Sequence, residues 1–135
     1  MTRWPFSKRC VMSGIEFLLD TNMVIGLLKG HAAAITLAEQ SGFTLDKSAV
    51  SQITRMELLG YPQLTDEEDR TIREFLATCQ IRMLDEQVEA RAIQLRRSGA
   101  FKLPDAIVAA TAITGSLRLL TLDQGMLRGL QKLGA

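Results

Sequence analysis

The sequence predicts an α/β protein, a three-layer α/β/α sandwich built on a small parallel sheet of about four or five strands. Three observations carry that expectation. Short apolar runs alternate with helical patterns along the chain, the order that produces layers of sheet and helix. The candidate strands are apolar throughout instead of alternating, as burial on both sheet faces requires. Helical segments separate the candidate strands, so the connections are right-handed crossovers and the strands run parallel.

The first strand is "EFLL", residues 16–19, and the helix "TNMVIGLLKG" follows it and closes at Gly30. Glycine suits that position because it enters the left-handed conformation without a Cβ penalty. "HAAAITLAEQSG" is a second helix, ending at Gly42. "KSAVS" is a short strand, and Ser51 caps the helix "QITRMELLG". Tyr61-Pro62 breaks that helix, since the residue before a proline is pushed out of the helical region. Thr65 and Glu68 form a capping box, one bonding forward and the other reaching back, and open a helix through about Thr78. "QIRML", residues 80–84, is a strand, and Asp85 caps "EQVEARAIQLRRSG", which closes at Gly99. Pro104 sits in the first turn of "PDAIVAATAITG", where its missing N–H costs nothing, and Gly115 ends that helix. "LRLLTL", residues 117–122, is the last strand, with a short helix from Asp123 or Gln124 onward.

Composition narrows the function. At 135 residues the chain is most simply one domain, long enough to bury a core without disulfides or a structural metal. Its net charge of +1 conceals 16 basic and 15 acidic residues, so overall charge does not announce a nucleic-acid binder. Cys10 and Cys79 stand far apart and His31 is the single histidine, which argues against a zinc site or a disulfide framework and for a reducing, cytoplasmic setting. The longest uncharged run, residues 106–117, falls short of a membrane span. Residues 1–11, with the basic stretch "MTRWPFSKRC" and no apolar signal core, read as an N-terminal extension, disordered or arising from a non-native start, with Met12 as an alternative start. Residues 12–135 form the domain.

In an open parallel sheet, ligands bind beyond the carboxyl ends of the strands. Four acidic residues fall near that edge. Asp20 ends the first strand, and Glu57 lies in the helix after the second, four residues past Ile53. Asp105 is in the first turn of a helix rich in small residues, and Asp123 follows the last strand. Singly, Asp20 and Asp105 read as helix caps, worth up to about 1 kcal/mol, Asp123 as a turn residue and Glu57 as a solvated helix residue. Together, four carboxylates at one edge repel one another and raise one another's pKa. A hard divalent cation such as Mg²⁺ or Mn²⁺, which prefers oxygen ligands, removes that conflict. Such a site suits phosphodiester hydrolysis. No GxxxxGK[ST] loop is present, which disfavours nucleotide hydrolysis. A phosphohydrolase of the DxDxT type is also disfavoured, because position 22 is Asn22.

The blocks "FLLDTNMVIGLLKG", "SQITRMELLG", "LPDAIVAATA" and "LRLLTLD" resemble, in order, the four motif blocks of PIN-domain ribonucleases, and most of all the VapC-type toxins of toxin–antitoxin pairs. The resemblance covers about residues 15–130. It implies that Asp20, Glu57, Asp105 and Asp123 form the family's acidic quartet, catalytic and metal-binding. It also implies that Asn22 and Thr121 support the quartet by hydrogen bonds that orient carboxylates. The implied activity is a Mg²⁺- or Mn²⁺-dependent endoribonuclease using one or two ions. The implied partners are an RNA substrate, a cognate antitoxin and a second copy in a homodimer.

Phosphate contacts call for cations: Lys29, Arg55 and Lys102 are the candidates, with Arg73, Arg96 and Arg97 behind them, and Lys102 stands out three residues before Asp105. The helix pair of residues 21–42 carries Val24, Ile25, Leu27, Leu28, Ile35 and Leu37; most of these are expected in the sandwich core, and the resemblance adds a groove there for an amphipathic antitoxin helix. The alternative function is a non-catalytic PIN-like module that binds RNA or protein without cleaving.

Overall fold

The structure, a computed structural model, describes residues 14–133. The expected extension at residues 1–11 therefore lies outside the described residues. Among the described residues four strands and seven α-helices follow in order: β1 (Phe17–Leu19), α1 (Thr21–Leu28), α2 (Ala32–Ser41), β2 (Ser48–Ser51), α3 (Gln52–Leu59), α4 (Asp66–Leu76), β3 (Gln80–Arg82), α5 (Glu86–Arg97), α6 (Leu103–Thr114), β4 (Arg118–Leu120) and α7 (Gln124–Lys132). A 3₁₀ turn at Leu45–Lys47, which the sequence reading did not anticipate, leads into β2. The strands form one sheet in the order β3-β2-β1-β4, and every pairing is parallel.

Period-two alternation sorts the strand residues into two cores. Phe17, Leu19, Val50 and Leu120 pack with α1, α2 and α4 through residues such as Met23, Val24, Ala38 and Phe75. Leu18 and Ala49 face the other way, onto Val88, Leu95, Ala106 and Met126 of α5, α6 and α7. The layers are therefore helix, sheet, helix. The central strands β1 and β2 are buried at every position. The edge strands β3 and β4 are part exposed.

Local chemistry sets the boundaries. Asp20, Ser51, Thr65, Asp85 and Asp123 cap α1, α3, α4, α5 and α7 through their side chains. Both bonds of the Thr65–Glu68 box are present. Gly42 ends α2 in the left-handed region at φ 75°. Gly115 does not do so for α6: its φ is −89°, and Ser116 takes the positive angle of 54° one residue later. The strands are also shorter than the apolar runs suggest. β3 stops at Arg82 because its partner Ser51 is the last residue of β2 before α3 turns away. Leu84 bonds instead to the Gln52 side chain.

The order of strands creates a switch point. From β1 the chain moves outward through β2 to β3, then crosses back to place β4 on the other side of β1. The helices after β1 and β4 consequently leave on opposite faces, α1 in one core and α7 in the other. A crevice opens between the carboxyl ends of β1 and β4, the place where open α/β sheets bind ligands. No helix among the described residues is long and apolar enough to cross a membrane.

The crossing of α1 and α2 is set by Gly26, where an added Cβ would lie 2.8 Å from the Ala34 Cβ. Glycine to alanine inside a helix ordinarily stabilises by about 1 kcal/mol. Here overpacking outweighs that gain, and Gly26→Ala is expected to lose a net amount of about 1–2 kcal/mol. Urea unfolding checks the sign, and Ala34→Gly in the same chain is expected to recover most of the loss.

Candidate active site

Asp20 stands at the switch point as a buried residue, 6% exposed. Oδ1 accepts from the Met23 N–H at 2.8 Å, the capping bond of α1. Oδ2 accepts from the Thr121 hydroxyl at the end of β4. Burial pushes this carboxyl up from its ordinary value, the two hydrogen bonds oppose the rise, and the charges of Asp123 and Asp105 add to it. Thr121 is itself buried, and its hydroxyl oxygen accepts from the Asp123 N–H at 3.0 Å. Asp123 then caps α7 by accepting from the Met126 N–H at 3.1 Å. One threonine thus ties the first acid to the backbone of the last.

Glu57 approaches from α3. Its side chain is exposed, and Oε1 accepts from the Thr21 hydroxyl at 2.6 Å. The Thr21 and Thr54 hydroxyls lie 3.3 Å apart. Asp105 is the third residue of α6 and is half-buried. It accepts no side-chain hydrogen bond from the described residues, so it is no cap. Burial raises its pKa most, followed by repulsion from Asp123 and Glu57, while Lys102 pulls it down.

All four carboxylates line one cavity of about 360 Å³, and no lysine or arginine shares its wall among the described residues. Glu57 and Asp123 each use one oxygen, Oε1 and Oδ1, for a hydrogen bond, and among the described residues their other oxygens and both Asp105 oxygens accept none. The donor set is hard oxygen without imidazole or thiolate, which fits Mg²⁺ or Mn²⁺ and not zinc. Among the described residues the acids do not close into a ready-made cage of three or more ligands; they stand around the cavity wall.

The other expected residues divide. Asn22 is on the cavity wall and exposed, but it makes no hydrogen bond to a carboxylate. Its neighbour Thr21 does, because consecutive helix residues point about 100° apart and only one of them can face Glu57. Lys102 is close enough to act on Asp105. Lys29 lies on a second groove, and Arg55 is part-buried away from both. Arg73 is paired with Asp69 at 2.7 Å, and Arg96 bonds the Phe101 carbonyl.

That second groove, about 310 Å³, meets the acidic cavity at Ile25 and Tyr61. Its apolar floor comes from α1, α3 and α4, through Ile25, Leu28, Leu58 and Ile72. From the helix pair of residues 21–42 it takes Ile25 and Leu28, while Val24 and Leu27 are core residues, as expected of most of that set, and Ile35 and Leu37 pack against that core. The sequence reading missed Thr21, Thr54 and Tyr61. The adjacency of Thr21 to Asp20 was the one available signal; its distance of 36 residues from Glu57 gave none.

Fold and cavity together define a parallel-sheet α/β/α protein with an acidic pocket at its topological switch point. Residues 17–130 match the PIN domain family, and the chain belongs to that family. It is similar to a chain of a toxin–antitoxin complex from Klebsiella pneumoniae, at 31% identity over 80% of this chain and 87% of that one, with TM-score 0.67. It is also similar to FitAcB from Neisseria gonorrhoeae, at 28% identity over 85% and 93% of the two chains and TM-score 0.68. The fold is shared with VapBC-1 from nontypeable Haemophilus influenzae, at 21% identity, 87% and 94% coverage and TM-score 0.68. Among curated proteins none matches this sequence.

The raised pKa of Asp105 makes a stability prediction. As pH rises past the ordinary carboxylate value, about 4, the unfolded chain ionises before the folded one, so the native state loses stability through that window and stays lower above it. Asp105→Asn is expected to match the wild type near pH 3. At pH 7 it should exceed the wild type by less than about 1 kcal/mol, because a half-exposed group is screened. Urea unfolding of chelator-treated protein at both pH values measures this, and equal differences at the two would contradict the assigned cause.

Proposed function

We propose that this protein is a cytoplasmic, metal-dependent endoribonuclease of the VapC type, the toxin of a toxin–antitoxin pair. The observation that carries the reading is one cavity walled by Asp20, Glu57, Asp105 and Asp123 with no basic side chain among the described residues. The similarity to a chain of a toxin–antitoxin complex at 31% identity supports it.

Asp20, Asp105, Asp123 and Glu57 would hold one or two Mg²⁺ or Mn²⁺ ions. When bound, such an ion lowers the pKa of water and offsets charge on phosphate oxygens. The protein's own contribution is rigidity and charge. Asp20 is held by two hydrogen bonds, so it cannot swing away from a neighbour that repels it. Asp105 offers both oxygens without competing protein donors. Lys102, beside Asp105, is the nearest candidate for the phosphate flank, with Lys29 and Arg55 farther out. Unpaired RNA in loops is the proposed substrate form.

The antitoxin is proposed to lay an amphipathic helix in the groove beside the cavity, its apolar face on Ile25, Leu28 and Ile72. An arginine from it would neutralise the carboxylates by charge-assisted hydrogen bonds. The toxin is proposed to be a homodimer.

Asp20→Asn and Asp105→Asn are each expected to lower RNA cleavage in Mg²⁺ or Mn²⁺ by more than about 100-fold, beyond the loss of an outer partner, with the circular dichroism spectrum unchanged. Chelation is expected to abolish cleavage by the wild type. A folded Asp20→Asn protein that cleaves normally would sink the reading. RNA binding without cleavage, and without divalent-ion binding at millimolar concentration, would favour the non-catalytic module.

A further inference from the structure

We propose that Thr21 is the positioning residue for Glu57. Its hydroxyl fixes one carboxylate oxygen so that the other stays open at the acidic cavity. The inference rests on the nuclease reading above and goes beyond it by assigning a role to a side chain outside the acidic set.

Glu57 needs such a partner more than the other three acids. Asp20 and Asp123 are short side chains held by the first N–H groups of α1 and α7, and Asp105 is half-buried in the first turn of α6. Glu57 is longer, exposed and in the last turns of α3, where no free N–H points at it. Ordering such a side chain costs up to about 2 kcal/mol, and the charge of Asp105 acts against it. Unheld, it would swing outward into water.

The Thr21 bond counters both effects. At 2.6 Å it is short, charge-assisted and directed. A carboxylate has no proton to give, so Thr21 must donate its only one to Oε1. Thr54, whose side chain is fully buried, stands behind it with its hydroxyl oxygen 3.3 Å from that of Thr21. This set of contacts runs from Thr54 through Thr21 to Glu57. It joins α3 to the first turn of α1, which also supplies the Met23 N–H to Asp20, so one turn of helix contributes a donor to two of the four acids.

The test is Mn²⁺ binding by the full chain without RNA, measured by calorimetry, with urea unfolding of the metal-free protein alongside. Thr21→Val keeps the shape and removes the donor; it is expected to weaken Mn²⁺ binding about 10-fold or more. Thr21→Ser restores the donor and is expected to bind like the wild type. In a Glu57→Gln background, Thr21→Val is expected to have no further effect on affinity. Wild-type affinity in Thr21→Val, equal losses in the valine and serine variants, or an undiminished valine effect in the Glu57→Gln background would each overturn the positioning role and leave the nuclease reading standing. A wild-type protein that binds no Mn²⁺ at millimolar concentration refutes both.

Discussion

The hydrogen bond from Thr121 to Asp20 is the contact on which the site depends. It links the carboxyl ends of β1 and β4, strands adjacent in the sheet, through residues 101 positions apart in the chain. Because Thr121 also accepts the Asp123 N–H, one hydroxyl sets the separation between the ends of the first and last strands. Asp20 in turn caps α1, and Asp123 caps α7. Loss of this centre would free both helix starts and both strand ends at once. It would also leave a buried carboxylate short of a donor, at a cost of about 1–3 kcal/mol.

The same residues carry two loads that pull in opposite directions. As caps, Asp20 and Asp123 stabilise the fold by satisfying N–H groups that helices leave free. In the acidic wall charge acts the other way: burial raises Asp20 and Asp105, and repulsion from their acidic neighbours raises them further. Burial is the larger contribution at both positions. The strain is therefore chiefly that of removing charge from water, with crowding second. A binding site for a hard cation concentrates this kind of strain, since the ion's charge relieves both effects together. Residues 17–130 supply the scaffold of a PIN domain, and within it the acids come from four different elements.

Much of the fold was legible because its signals are local. The Thr65–Glu68 box, the caps at Asp20, Ser51 and Asp85, and the glycine at Gly42 act within a few residues of where they are read. Gly115 shows the limit. Its helix ends on schedule, but the positive φ falls on Ser116, and an added Cβ at Gly115 would crowd both Thr111 and Leu117. Strand lengths were overestimated for a related reason. Apolar runs mark what is buried, whereas strands end when their neighbours leave the sheet, as Arg82 does once Ser51 turns into α3. The apolar residues of α1 serve two surfaces that the sequence does not separate: Val24 and Leu27 the core, Ile25 and Leu28 the groove wall.

By itself the sequence determined the alternation of strands and helices, the helix caps and the four acids that fall near strand ends. Each follows from side-chain chemistry acting over one turn or from apolar periodicity, and neither needs knowledge of the neighbours. Tertiary structure alone decided that β4 returns beside β1, that Thr121 bonds Asp20, and that Thr21, not Asn22, reaches Glu57. Strand order and helix rotation are set by packing two cores on one twisted sheet. A hydrogen bond across 36 residues leaves no periodic trace in the chain that makes it.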